Sequence, residues 1–245
     1  MGNDEDTRLF DLADVYEAIY RGRGKDYAGE AALTTKLIKE RNPGASSLLD
    51  VACGPGAHLV HFVGSFERLA GVDLSADMVR VARERLGESV PVSQGDMRDF
   101  RLGRTFGAVT CMFSSIAYST DTTELEAAVS CLAAHLDPGG VVVVEPWWFP
   151  ENFVSGYVGG SLVEVEGRTI ARVSHSVVEG RATRMDVHYT VASSDEGIRH
   201  FVDRHHMSLF SRADYEAAFT RAGCSVEYIE SEMVGPGLFV GVRQP

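Results

Sequence analysis

Residues 48–56 read Leu-Leu-Asp-Val-Ala-Cys-Gly-Pro-Gly. An apolar run that ends in two closely spaced glycines is a buried strand delivered to a tight turn. Such a strand belongs inside a sheet covered on both faces, and its glycines let backbone approach a ligand closely. The rest of the first 150 residues fits this start. Residues 69–74 form a second strand, and Ser75 caps an amphipathic helix to Leu86 with Met78, Val79, Ala82 and Leu86 on one side. Residues 90–94 and 106–113 read as further strands. Asp121-Thr122-Thr123-Glu124 has capping-box spacing before a helix through Leu136. Pro138-Gly139-Gly140 ends that helix, and 141–145 is a strand buried on both faces. This alternation predicts an α/β fold, a Rossmann-like and mostly parallel sheet with helices on both faces.

The period changes after Pro150. Segments 162–165, 169–177, 183–191 and 199–209 alternate apolar and polar residues, with Gly167, Gly180 and Gly197 at the turns. They predict an inserted antiparallel β-layer, too small to fold alone. Ser211 then caps a helix to Ala222, and strands follow near 225–229 and 238–242. The expected organisation is one domain over 1–245. It comprises an N-terminal helical segment (1–45), a ligand-binding core (46–150), the β-layer (151–210), and a closing helix with strands (211–245).

Lys and Arg number 23 against 35 Asp and Glu, a net charge of −12. Nothing in that balance releases counterions from a phosphate backbone, so nucleic acid is not the expected partner. The apolar run 141–144 stops at Glu145, far short of the ~20 residues of a membrane span, so no membrane partner is expected either. Residues 1–6 carry no basic or apolar stretch of a signal peptide, and Asp6 stands where a myristoylation pattern wants Ser or Thr. Cys53, Cys111, Cys131 and Cys224 form no C-x-x-C pair. Reduced thiols and a cytoplasmic location follow.

A G-x-G turn alone admits several ligands. The dinucleotide fingerprint wants a third glycine where Leu59 stands, which disfavours a nicotinamide cofactor. Asp73, at the end of the second strand, can accept from both hydroxyls of a ribose. After the third strand, Asp96 can accept from an exocyclic amine and Met97 can pack on a purine face. Met112, at the end of the fourth strand, is expected on the same crevice. Adjacent His205 and His206 point to opposite strand faces and cannot chelate one ion, so no metal is expected.

Taken in register, D-x-x-C-G-x-G from Asp50, Val72-Asp73-Leu74-Ser75, Gly95-Asp96-Met97 and Asp137-Pro138-Gly139-Gly140 resemble class I S-adenosylmethionine-dependent methyltransferases. Five further segments extend the likeness: Gly22-Arg23-Gly24-Lys25-Asp26-Tyr27, 95–100, 112–115, 141–152 and 172–176. They resemble the bacterial N,N-dimethyltransferases of nucleotide-linked amino sugars, including those that complete the desosamine and mycaminose of macrolide antibiotics. The resemblance implies S-adenosylmethionine as cofactor, a TDP-amino-deoxyhexose as substrate and a homodimer.

The resemblance also implies roles. Tyr16, Ala52, Gly54 and Gly56 would line the methionine end of the cofactor. Asp73 would hold the ribose, Asp96 and Met97 would frame the adenine, and Asp50, Leu74, Met78 and Met112 would complete the cofactor side. Tyr20, Tyr27, Ser115, Trp147, Trp148, Asn152, Arg172, Ser174 and His175 would face the sugar nucleotide. Two positions depart from the pattern: Pro236 replaces an Arg well placed for the diphosphate, and Arg8 aligns with a tyrosine of some relatives.

Methyl transfer from a sulfonium is an in-line displacement, so orientation can supply several kcal/mol of the barrier reduction. Tyr118, a His in some relatives, is the expected neighbour of the amine, with a hydrogen-bonding or orienting role. Glu145 is the second catalytic candidate, able to attract the ammonium or take its proton. Arg168, Arg172, Arg181 and Arg184 offer cations for a diphosphate. Two other readings are methylation of a different small molecule such as an aglycone, and a non-catalytic cofactor-binding module.

Overall fold

The computed structural model describes residues 13–165, 167–231 and 235–244; Arg8 lies outside them. Two helices open the chain, α1 (Ala13–Gly22) and α2 (Tyr27–Arg41). Asp26 caps α2 by accepting from Gly29 N at 2.9 Å. The first sheet holds β1 (Ser47–Val51), β2 (Arg68–Asp73), β3 (Val92–Gln94), β4 (Phe106–Cys111), β5 (Leu136–Val144), β10 (Cys224–Ile229) and β11 (Leu238–Arg243). Its order is β10-β11-β5-β4-β1-β2-β3. The five strands from β3 to β5 run parallel; β11 runs antiparallel to β5, and β10 antiparallel to β11, so only β11 among these strands opposes the common direction. Helices cover both faces, so β1 and β4 are buried at every position.

Local chemistry sets the helix ends. Ser75 caps α4 (Ala76–Leu86) by accepting from Met78 N, and Met78, Val79 and Ala82 form the buried stripe. Asp121 caps α5 (Thr122–Ala134) by accepting from Glu124 N. Glu124 returns its carboxylate to Thr120 N rather than to the cap residue. Several boundaries differ from the sequence reading. The helix α5 stops at Ala134, and β5 already begins at Leu136, running through the Pro-Gly-Gly segment. Pairing of Leu136 with Phe106 across a register shift recruits those residues into the sheet. The strand β4 ends at Cys111, two residues early. The helix after the glycine turn is a single turn, α3 (Leu59–Phe62).

The second sheet is an antiparallel meander of β6 (Tyr157–Val165), β7 (Arg168–Glu179), β8 (Ala182–Ser193) and β9 (Gly197–Ser208). The period of two sorts its side chains. Ile170, Val187, Tyr189 and Val191 bury on the inner face against Ile19 of α1. Burial of each such side chain contributes about 1.5–3 kcal/mol, enough to lay α1 between the sheets. The chain then adds α6 (Arg212–Arg221), capped by a Ser211–Asp214 capping box. The four cysteines are free thiols, and all are buried.

Candidate active site

Strand order reverses between β1 and β4, so their carboxyl ends open a crevice of the kind where α/β sheets bind ligands. Among the described residues, three that are not glycine hold left-handed backbone: Ala52 (φ 55°), Phe113 (φ 57°) and Ser114 (φ 59°). All three follow β1 or β4. Such residues cost on the order of 1–3 kcal/mol each, and their gathering at one sheet edge marks a built site.

One half of the site is the glycine turn. Gly54 is left-handed (φ 55°), and a Cβ there would meet nothing within 4 Å. Its N–H donates to Asp73 Oδ2 at 2.7 Å, and Ser75 N donates to Asp73 Oδ1 at 2.9 Å. The carboxylate is thus held rigid, with a lone pair left on each oxygen. Burial raises its pKa despite these donors. Asp50 is deeper, 1% exposed, and Thr110 Oγ1 donates to its Oδ1 at 2.8 Å. Its Oδ2 has no hydrogen-bond partner, and burial pushes its carboxyl up to about 6.

Other expected residues of this half lie differently. Arg98 clamps Asp96 through Nε at 2.9 Å and Nη2 at 2.5 Å and holds its carboxyl below the usual range. An exocyclic amine would therefore share Asp96 with Arg98. Met97 is partly buried on the core. Met78 and Met112 are 1% and 3% exposed, so they present almost no surface to a ligand. Leu74 is exposed.

The other half is a cavity of about 1040 Å³ between the two sheets. Tyr16, Tyr20 and Phe113 form one wall, with ring centroids 4.7 Å (Tyr16–Tyr20) and 4.8 Å (Tyr20–Phe113) apart. Trp147, Trp148 and Asn152 form another, and Arg172, Ser174, Ser176, Met185 and His205 line the roof. Ser115, Tyr118 and Glu145 reach it from the first sheet. Glu145 is buried; its Oε2 accepts from Phe113 N at 2.6 Å, and burial raises its pKa. Pro236, the departure from the family pattern, stands in the cavity wall.

Two expected residues are elsewhere. His175 is exposed on the outer face of the second sheet, because odd and even positions of a strand face opposite ways. Tyr27 is buried edge-on against His58, at 4.9 Å between centroids. Sequence reading also missed a buried charge cluster: Lys25 Nζ and His58 Nε2 each lie 2.8 Å from Glu30. Lys25 Nζ sits 4.1 Å above the Phe113 ring.

A methyltransferase-domain family model matches residues 48–140. The dTDP-3-amino-3,4,6-trideoxy-alpha-D-glucopyranose N,N-dimethyltransferase of Streptomyces venezuelae is 60% identical, over 95% of this chain and 98% of that protein. The dTDP-3-amino-3,6-dideoxy-alpha-D-glucopyranose N,N-dimethyltransferase of Streptomyces fradiae is 53% identical, over 95% of this chain and 91% of that protein. This chain belongs to the dTDP-amino-sugar N,N-dimethyltransferase family. The structure of SAM-bound CalS10, an amino pentose methyltransferase from Micromonospora echinaspora, superposes with a TM-score of 0.87 at 46% identity, covering 100% of both chains.

The N,N-dimethyltransferase is an S-adenosylmethionine-dependent enzyme. When bound, the cofactor supplies an electrophilic methyl group on a cationic sulfur. The residues present fit such a group. Gly54 leaves open space, Asp73 offers two fixed acceptors, and Asp50 Oδ2 is a buried acceptor without a donor.

Proposed function

We propose that this N,N-dimethyltransferase acts on the amino group of a dTDP-linked 3-amino-3,6-dideoxyhexose or its trideoxy relative, in two successive rounds. The observation that carries the reading is Arg172. It is 4% exposed, lines the cavity, and donates to Ser174 Oγ at 2.9 Å and Met185 Sδ at 3.8 Å, with the Tyr189 hydroxyl beside it. Among the described residues no carboxylate pairs with it, and its Nε has no acceptor. A buried guanidinium without an anion suits a diphosphate, which offers forked acceptors.

The remaining roles follow from position. Asp73 holds the ribose of the cofactor, and Asp50 with Ala52, Gly54 and Gly56 receives its cationic end. Tyr16 and Tyr20 flank the reacting groups. Trp147, Trp148 and Asn152 receive the nucleotide and sugar, with Ser115 and Ser174 as polar contacts. Tyr118 adjoins the amine. Glu145 offsets the positive charge that grows on nitrogen, and buried charge interacts more strongly than exposed charge. Because Pro236 brings no cation, Arg172 carries the diphosphate grip. The enzyme is a cytoplasmic homodimer that meets its copy through the outer face of the second sheet, where Val158, Leu162 and Val173 are exposed.

Calorimetry with dTDP tests the nucleotide grip. Wild-type protein should bind it, and Arg172→Gln should weaken binding by about tenfold or more, the loss of a charge-assisted contact. No binding of dTDP by the wild type would reject the sugar nucleotide and favour an aglycone acceptor.

A further inference from the structure

A second polar chain runs from the cavity into the second sheet. Tyr118 ends the one-turn segment Ser115–Tyr118 that follows β4, and its hydroxyl lies 2.7 Å from His205 Nδ1. His205 Nε2 lies 3.3 Å from Asp203 Oδ2, a contact through charge rather than an aligned hydrogen bond. Asp203 and His205 are two apart on the inner face of β9, and both are at least 95% buried. Ser208 Oγ donates to Ser119 O at 2.7 Å, which pins β9 to the turn that carries Tyr118. Tyr118 itself is 36% exposed and lines the cavity.

We propose that Asp203 and His205 are positioning residues that hold Tyr118 as a hydrogen-bond acceptor toward the substrate amine. The proposal rests on the amine-methylating reading above. The polarity comes from the chain of partners. A carboxylate beside Nε2 favours the imidazole tautomer with its proton on Nε2, since the other tautomer turns a lone pair toward negative charge. The unprotonated Nδ1 then accepts the Tyr118 proton. With that proton committed, the phenolic oxygen meets an N–H in the cavity as an acceptor.

Acceptor polarity suits the reaction. The amine must keep its lone pair for the methyl carbon while an N–H anchors it. A donor at Tyr118 would compete for that lone pair. A primary amine has two N–H bonds and a monomethylamine has one, so one acceptor orients both rounds. Among the described residues, the charged and titratable groups facing His205 include Tyr118 from the turn after β4, Asp203 and His206 from its own strand, and Arg172 from β7. Burial lowers the imidazole pKa, which keeps His205 neutral at the working pH, and a phenol of ordinary pKa about 10 keeps its proton there.

The test is the tautomer of His205 in resting enzyme labelled with nitrogen-15 histidine, its signals assigned by loss in His205→Asn. A proton on Nε2 and an accepting Nδ1 are expected. A proton on Nδ1 would overturn the proposal. Kinetics give a second readout. Tyr118→Phe and His205→Leu should lower kcat by about tenfold with KM within about twofold, an orientation effect. His205→Asn, whose amide oxygen can accept at the Nδ1 position, should recover most of that loss. Equal loss in His205→Asn and His205→Leu, with both folded by circular dichroism, would contradict the positioning role. If the wild type methylates no dTDP-amino sugar, the substrate reading falls, while the tautomer still decides the polarity of Tyr118.

Discussion

Asp50 stands at the foot of the glycine turn with one carboxylate oxygen bonded and the other without a partner. Its folded pKa, pushed up to about 6, exceeds its ordinary value of 3.8. The folded state therefore holds the proton more tightly. The associated stability is fully present below the ordinary value and is lost as pH rises through about 6, by about 3 kcal/mol in all. The protein without cofactor should thus be less stable at about pH 7.5 than its other groups dictate, and Asp50→Asn should remove that part of the slope. Urea unfolding at about pH 4 and about pH 7.5 checks this; an unchanged slope in Asp50→Asn would contradict it. The same unmet carboxylate should aid a cationic ligand, so the instability has a use. Asp73 differs because its oxygens are already fixed by Gly54 N and Ser75 N. Asp73→Ala should weaken cofactor binding by at least about tenfold in calorimetry, the loss of two charged hydrogen bonds. Unchanged affinity would remove the ribose from this position.

At the scale of elements, most of the fold was legible because period and punctuation agree. The strand–glycine run at 48–56, the Ser75, Asp121 and Ser211 caps and the glycines between the four hairpin strands all sit where the structure uses them. The boundaries that moved depend on pairing, as where Phe106 draws Leu136 into β5. In the site, Arg172 and Ser174 were legible, while His175 was taken from a contiguous motif that a strand splits between faces. The period of two would have named Ser176 instead. Asp203 and His205 could not be paired with Tyr118 from sequence, since 87 positions separate Tyr118 from His205. Lys25, Glu30 and His58 were hidden likewise, brought together by α2 packing on α3. Among the described residues, the inner face of the second sheet buries its apolar side chains against α1. A peptide of residues 151–210 should therefore remain unfolded by circular dichroism. A cooperative thermal transition in it would show that the layer is an independent domain.

For the molecule as a whole, the site exists only where three parts meet. The first sheet brings Asp73, Glu145 and Tyr118; the second brings Arg172 and His205; α1 and its following loop bring Tyr16, Tyr20 and Lys25. The net charge is −12, yet Arg23, Lys25 and Arg172 line one cavity, where the proposed substrate would bring its diphosphate. The central claim is that this cavity presents a nucleotide-linked amine to the cofactor's methyl group twice. The direct measurement is mass spectrometry of a reaction holding the enzyme, S-adenosylmethionine and a dTDP-3-amino-3,6-dideoxyhexose. The account predicts a monomethyl species that rises, falls and gives way to a dimethyl product. Persistence of the unmodified sugar nucleotide, with cofactor binding confirmed, would contradict it.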